Sequence, residues 1–239
     1  MSDNAQNDLQ EAYWKHLLLK GKRPKSVYAL MDSLQREEAE FYENYASLDS
    51  LESAYWQSTV DETINVLEHD EDYAEYPADQ KLLAFYFTYI THIQKNRSRF
   101  VGYFPKLPNP DQHCSIHDIK LSMSMPHSLK GMSRSFKHYA KSIVKEGVQG
   151  GIFADRKKLT DQYDRLLLVH FLAVINYYIK DNSESFQDTD AFIEKSTNFA
   201  IQAAADGVLE AGFDFVRFIV GKDDRLKGLS KMMSKFIPE

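Results

Sequence analysis

Apolar residues recur at three- and four-residue spacing over most of this chain, and that periodicity restricts the possible folds more than any other feature. Glycine and proline, which interrupt helices, number only 10 and 7 among 239 residues and gather at the breaks between periodic segments. No segment shows a sustained two-residue alternation, which is the pattern of a half-buried strand. The sequence therefore predicts an all-α fold of about nine or ten helices.

Capping residues and breaks predict where these helices begin and end. Gly21 is a typical helix stop, and Ser26 and Ser47 are typical N-caps for the second and fourth helices. An acidic, proline-containing break at 70–77 ends the fourth helix. The helices predicted in this way cover Asn7–Lys20, Val27–Leu34, Glu37–Tyr45, 48–69, Asp79–Asn96, Ser115–Met125, Ser128–Gly147, Thr160–Lys180 and Asp188–Gly212.

The first three predicted helices form a small unit of their own. A longer helix precedes two short ones that are separated by a few residues, which is the arrangement of a helix-turn-helix. We therefore predict a helix-turn-helix unit over residues 1–47 and a larger helical body over residues 48–239.

Composition limits the class of protein. The apolar share of 43% and the charged share of 27% are those of a globular domain. The single cysteine, Cys114, excludes a disulfide within the chain, and no apolar run reaches the ~18 residues of a membrane span. These features predict a cytoplasmic protein. A net charge of −6 provides no overall attraction for nucleic acid.

Two long helices near the C-terminus are candidates for an interface. The segment Thr160–Lys180 is apolar on several faces, and the helix after it carries small residues at three- and four-residue spacing, which lets helices approach closely. We expect the pair to form half of a four-helix homodimer interface, although burial in the core of a monomer is the alternative. The predicted interface residues are Leu167, Phe171, Val174, Ala200, Ala204 and Gly207.

Aromatic residues and methionines in the body mark a candidate pocket for an apolar ligand, although residues of these types at helical spacing are more often core. The pocket residues predicted in this way are Phe85, Tyr86, Tyr89, Met132, Phe136, Tyr139, Phe171 and Tyr177.

Motifs for catalysis or metal binding are weak. The chain has no glycine-rich phosphate loop, no Gly-x-Ser-x-Gly elbow and no convincing carboxylate pair, so we expect no enzyme and no cofactor. His113 and His117 are four residues apart but lack a second ligand cluster, and we predict no metal site. The basic, amphipathic tail at 222–239 fits either a packed last helix or a docking segment.

One motif is recognisable. The pair Phe41-Tyr42 is followed by the aromatic Tyr45 and then by the helix start Ser47-Leu48-Asp49-Ser50-Leu51. This pattern resembles the end of the helix-turn-helix in TetR-family transcriptional regulators, and the likeness extends over roughly residues 9–60. The resemblance implies a homodimeric regulator that binds DNA through residues 1–47 and a small apolar or amphipathic ligand in the body. It implies DNA contacts from Lys22, Arg23, Lys25, Ser26, Arg36, Tyr42 and Asn44.

The predicted recognition helix departs from the family in its charge. Four acids, Glu37, Glu38, Glu40 and Glu43, surround the motif, and Leu48 stands where the family has a phosphate-contacting lysine. Because lysine and arginine supply most of the affinity for phosphates, such a helix is poorly suited to DNA. The alternative is therefore a TetR-fold protein that has lost DNA binding and acts as a lipid or small-molecule carrier or as an accessory to a partner protein.

Overall fold

A computed structural model describes residues 2–106, 125–155 and 163–206, and every regular element in these ranges is helical. Short 3-10 turns occur at Tyr73–Glu75, His127–Leu129 and Glu184–Phe186. The all-α prediction is thus confirmed. The α-helices of the described ranges, in chain order, are α1 Ser2–Lys20, α2 Val27–Ser33, α3 Glu38–Tyr42, α4 Leu48–Glu68, α5 Ala78–Gln94, α6 Arg97–Tyr103, α7 Lys130–Gln149, α8 Tyr163–Lys180 and α9 Gln187–Asp206.

The predicted caps fix the ends of the N-terminal helices. Ser26 Oγ accepts a hydrogen bond from the backbone N–H of Ala29 at 3.0 Å, and Ser47 Oγ accepts one from the backbone N–H of Ser50 at 3.1 Å. Gly21 adopts φ +67°, where a side chain would be strained, and its N–H returns to the carbonyl of Leu17 at 2.9 Å. These residues end α1 and begin α2 and α4 as the sequence predicts.

Several helix bounds differ from the prediction. α1 begins at Ser2 rather than Asn7, and α3 ends at Tyr42, so that it is little more than one turn. α6 was not predicted, because seven residues with two arginines show too short a periodicity to separate them from a loop. The helix predicted at 115–125, the last residues of the 188–212 helix and the basic tail lie outside the described residues.

The body is organised around α4. This helix packs against α5 and α7, α7 packs in turn on α8, and α5 contacts α7, α8 and α9. Trp56 of α4 is fully buried, with its ring centroid 5.0 Å from that of Phe100 on α6. Burying each large apolar side chain is worth about 1.5–3 kcal/mol, so this packing supplies much of the stability of the body.

The N-terminal unit shares its core with the body. Trp14 of α1 is 1% exposed and lies against Tyr55 and Trp56 of α4, with ring centroids 4.7 and 5.3 Å apart. An aromatic core therefore continues from α1 into α4. Within the described ranges, no helix has both the length and the hydropathy needed to cross a bilayer.

Candidate functional site

The segment from α2 to α3 has the form of a helix-turn-helix. Leu34 follows α2, Gln35 takes the left-handed conformation with φ 55°, and the N–H of Arg36 bonds to the carbonyl of Met31 at 3.0 Å. The chain therefore reverses within three residues. The backbone N–H of Glu37 then donates to the Glu40 side chain at 3.4 Å, which helps to begin α3.

The recognisable aromatic motif holds α3 in place. Phe41 is fully buried, and its ring lies 5.8 Å from that of Tyr45. The Tyr45 hydroxyl accepts a hydrogen bond from Gln10 Nε2 of α1 at 2.9 Å and donates one to the carbonyl of Gln6 at 3.2 Å. Phe41 and Tyr45 thus fix the short helix to α1, while Tyr42, between them, is 54% exposed.

Both arginines predicted to contact DNA form ion pairs with carboxylates of their own chain. Arg23 lies 2.5 Å from Asp49 and 3.4 Å from Glu52 on α4. Arg36 lies 2.8 Å from Glu40, within the α3 turn, and 2.5 Å from Asp8 on α1. The hydrogen bond with Arg36 lowers the pKa of Glu40, and the same bond raises the pKa of Arg36. Each guanidinium is therefore shared between two acids.

The other five predicted contacts divide into two groups. Ser26 and Asn44 are committed to the fold, because Ser26 caps α2 and Asn44 Nδ2 donates to the carbonyl of Glu40 at 3.0 Å. Lys22 and Lys25 are exposed in the loop after α1, and Tyr42 is exposed on α3.

The outer side of α3 is acidic. Glu37 and Glu43 are exposed, and Glu38 and Glu40 are half-buried. At the start of α4, where the resemblance implies a lysine, Leu48 is 8% exposed and the next residue is the exposed Asp49. The surface that the resemblance assigns to the DNA therefore carries more negative than positive charge.

Seven of the eight predicted pocket residues come together where α5, α7 and α8 meet. Phe136 and Phe171 are stacked with ring centroids 4.2 Å apart, Phe85 lies 4.6 Å from Tyr139, and Tyr89 lies 4.8 Å from Phe171. Tyr177 is separate from this cluster, because it is 37% exposed and stacks on Phe192 of α9 at 4.3 Å. The seven residues that form the aromatic cluster are Phe85, Tyr86, Tyr89, Met132, Phe136, Tyr139 and Phe171, all buried.

A buried histidine lies beside this cluster. His170 of α8 is 2% exposed, with Nδ1 2.9 Å from the Tyr86 hydroxyl and Nε2 2.8 Å from Ser196 Oγ on α9. Burial lowers the pKa of His170 to about 4, so the ring is neutral at pH 7. Ser196 Oγ donates to the carbonyl of Ile193, at 3.5 Å, and so accepts from His170 Nε2–H, while Nδ1 accepts from Tyr86.

The sequence of the body decides the family. A family model described as "Tetracyclin repressor-like, C-terminal domain" matches residues 81–219, which is more than half of the chain. The chain belongs to the TetR family. No curated protein and no solved structure matches it. The match covers α5 to α9, and the TetR-like helix-turn-helix of α2 and α3 precedes it, in the order that the family requires.

The residues predicted to join two copies of this TetR-family chain are placed differently from one another. Leu167, Phe171 and Val174 are 9%, 0% and 0% exposed, so their side chains already pack inside one protomer. Phe171 in particular is covered by the rings of α5 and α7 described above. Ala200 of α9 is half-buried. Ala204 and Gly207 are not among the residues whose side chains are described, and the interface stays a prediction.

Two arginines of α6 were missed from the sequence, although one binds the end of α8 and the other binds the first helix of the N-terminal unit. Arg97 Nη2 donates to the carbonyls of Tyr178, Ile179 and Asp181, at 3.4, 3.3 and 2.7 Å, at the end of α8. Arg99 binds Glu11 of α1. The Arg-x-Arg spacing among aromatic residues was the available signal, but a local pattern cannot predict binding partners that lie more than eighty residues away.

Proposed function

We propose that this TetR-family protein does not recognise DNA, and that its helical body binds an apolar or amphipathic small molecule. One observation carries the first part. The single arginine at α3, Arg36, is shared by Asp8 and Glu40, while Glu37 and Glu43 face solvent beside it.

The physical reason is the polyelectrolyte character of DNA. Affinity for a duplex comes mainly from cations that neutralise phosphates and release counterions. One glutamate can accept a hydrogen bond from cytosine N4, but four acids within the seven residues at and beside α3 bring like charge towards the backbone. Arg23 and Arg36 would offer a phosphate only the guanidinium N–H groups that their carboxylate partners leave free, with those carboxylates close by.

The aromatic cluster supports the second part of the proposal. Aromatic rings and a methionine from three helices meet there, which is the composition of many apolar binding sites. The hydroxyls of Ser133 on α7 and Thr197 on α9 are also buried in the described body and make no hydrogen bond. Because an unpaired buried hydroxyl costs about 1–3 kcal/mol, a polar ligand atom that bonded to either one would be stabilised.

A DNA-binding transcriptional regulator is the second candidate function. It is favoured by the helix-turn-helix geometry of α2 and α3, by the exposure of Lys22, Lys25 and Tyr42, and by membership of the family. In such a regulator the ligand would change the spacing of two helix-turn-helix units in a homodimer, and so change operator affinity.

Binding to a pool of random-sequence fluorescent duplexes, followed by anisotropy at low salt, separates these functions. We expect no tight complex and no enriched sequence after repeated selection. A selected sequence that binds tightly, with affinity falling steeply as salt rises, would establish the regulator instead.

Restoring charge to α3 makes the same test in the opposite direction. The triple variant Glu37→Lys, Glu38→Gly, Glu40→Thr also releases Arg36 from Glu40, and we expect it to gain salt-dependent duplex binding. A matched control carries the same charge change on exposed acids elsewhere, as Glu68→Lys, Glu71→Gly, Glu75→Thr, and should gain none.

The ligand is tested separately from DNA. Native mass spectrometry of the protein purified without detergent should show an added mass of small-molecule size, and denaturation should release it. Spectra that contain only the bare chain, from several expression hosts, would contradict ligand binding in the body.

A further inference from the structure

The last turn of α1 exposes two large apolar side chains. Leu18 is 42% exposed and Leu19 is 72% exposed, whereas Trp14 and Leu17, in the same part of the helix, are buried. Among the residues that the structure describes, neither leucine belongs to the buried core. Adjacent exposed leucines at a helix end therefore call for a partner that covers apolar surface.

Lysines surround these two leucines. From residue 15 to residue 25 the chain has five cations and no acid. Arg23 is held by Asp49 and Glu52, but the exposed Lys15, Lys20, Lys22 and Lys25 form no ion pair within the described ranges. We call Leu18, Leu19 and these four lysines the α1 end.

A turn keeps the two kinds of residue close together. Gly21, with φ +67°, stops α1 directly after Lys20 and turns the chain, so the loop lysines follow the leucines within a few residues. Apolar and basic side chains are thus brought together within one short, exposed stretch of the chain.

We propose that the α1 end docks on the surface of an anionic lipid bilayer. A bilayer offers negative headgroups to the lysines and, about 5–10 Å below them, hydrocarbon to the leucines. Duplex DNA also attracts lysine, but its backbone has no apolar surface that would bury Leu19. This proposal is independent of whether the body holds a ligand.

The expected attachment is reversible and sensitive to salt. The net charge of −6 repels an anionic surface, so the protein must approach with the α1 end foremost. Each lysine near such a surface contributes about a fivefold factor in partitioning, and exposed leucines add an apolar contribution that salt does not screen.

Co-sedimentation of the full chain with vesicles tests this proposal. We expect binding to phosphatidylcholine vesicles that contain about 30% phosphatidylserine, and little binding to phosphatidylcholine alone. The double variant Leu18→Ser, Leu19→Ser should lower binding about tenfold, and Lys20→Gln and Lys22→Gln about fivefold each. Matched controls on other exposed positions, Val66→Ser on α4 and Lys145→Gln on α7, should leave binding unchanged.

Three results would overturn the proposal. The first is absent or equal binding to the two kinds of vesicle. The second is duplex binding that falls with the lysine variants but not with the leucine variants, which would make the surface a nucleic-acid site and would also contradict the proposed function. The third is a change of oligomeric state in the leucine double variant, measured by sedimentation velocity, which would assign the leucines to a second copy of the chain.

Discussion

Arg99 of α6 forms a bidentate ion pair with Glu11 of α1, with Nη1–Oε1 and Nη2–Oε2 distances of 2.8 and 2.5 Å. The Arg99 side chain is 8% exposed, whereas that of Glu11 is 62% exposed. The guanidinium also lies over the rings of Tyr55 and Trp14, at 5.1 and 5.9 Å. A buried cation of the body therefore holds the first helix of the N-terminal unit.

The two sides of this pair should respond unequally to mutation. Glu11→Ala leaves a buried guanidinium without its carboxylate, and we expect it to cost about 2 kcal/mol of unfolding free energy. Arg99→Met keeps an apolar stem against Trp14 and leaves Glu11 in water, so it should cost about 1 kcal/mol or less. Urea denaturation measures both changes, and equal losses would contradict this asymmetry.

α6 also contacts the other end of the body, because Arg97 caps the last carbonyls of α8 and lies over the ring of Phe186 at 4.9 Å. Two residues apart on one short helix, Arg97 and Arg99 connect the end of α8 with α1. α6 therefore provides a direct structural connection between the end of α8 and α1.

His170 makes stability depend on pH. Its folded-state pKa, about 4, is below its ordinary value of 6.5, so the unfolded chain binds the proton first. The stabilisation is complete above about pH 6.5 and is lost as the pH falls towards 4, by about 3 kcal/mol in total.

Urea denaturation between pH 7.5 and 4.5 measures this slope. We expect His170→Gln to be less stable at pH 7.5, because the bond to Tyr86 or Ser196 is lost, but to depend less on pH. The exposed His138 provides the control, since His138→Gln should keep the slope of the unmodified protein. A slope that His170→Gln leaves unchanged would contradict the assignment.

Asp181 joins α8 to α9. Its Oδ1 accepts from Ser183 N and Oγ at 2.7 and 2.6 Å, and its Oδ2 accepts from Thr189 N and Oγ1 at 2.8 and 2.6 Å. Burial opposes ionisation of this carboxyl, but the bonds from Ser183 and Thr189 outweigh it and lower its pKa to about 2. The resulting stabilisation is present above about pH 4 and is lost as the pH falls towards 2.

Asp181→Asn should therefore destabilise the protein at pH 7 by about 2 kcal/mol. The amide nitrogen of asparagine is itself a donor, and it would face the N–H and O–H donors of Ser183 or Thr189. The loss should shrink at pH 3, because Asp181 in the unfolded chain, with its ordinary pKa of 3.8, is by then mostly protonated and the native carboxylate is not. Thermal and urea unfolding at both pH values give the comparison, with the exposed Asp188→Asn as control. A deficit of equal size at both pH values would show that the charge of Asp181 has no part in it.

Local chemistry made much of the N-terminal unit predictable. Ser26, Ser47 and Gly21 act through neighbours three or four residues away, so their effect on helix ends can be predicted from short stretches of sequence. The burial of Phe41 and the exposure of Tyr42 follow in the same way from the period of a helix.

Long-range pairing was not predictable. The pairing of Arg36, a predicted DNA contact, with Asp8 could not be predicted, because the two are 28 residues apart and no local rule relates them. Phe171 was predicted for both the pocket and the dimer interface. The structure places it inside the protomer because α5 and α7 both supply rings that cover it, which a periodicity in α8 alone does not specify.

The end of α7 provides a test of packing in which a usually favourable substitution should be harmful. Gly147 lies under the Phe153 ring, and a Cβ there would come within 2.1 Å of a ring atom. At Gly131, in the same helix, a Cβ would instead meet the Gln57 side chain, with the movable Oε1 at 2.5 Å and the Cβ at a tight 3.1 Å. Gln57 is half-buried and can rotate away, whereas Phe153 is 5% exposed and cannot.

Replacing glycine by alanine inside a helix normally stabilises a protein by about 1 kcal/mol. The difference between the measured change and that gain is therefore the cost of the contact between the new Cβ and its neighbour. We expect Gly131→Ala to be neutral or slightly stabilising, and Gly147→Ala to destabilise the protein by about 1–3 kcal/mol because the ring must leave its place. The double variant Gly147→Ala, Phe153→Leu should recover part of that loss, since leucine leaves room for the new methyl group. Thermal unfolding of the four proteins decides the matter, and a stabilised Gly147→Ala variant would show that the chain after α7 is not packed as described.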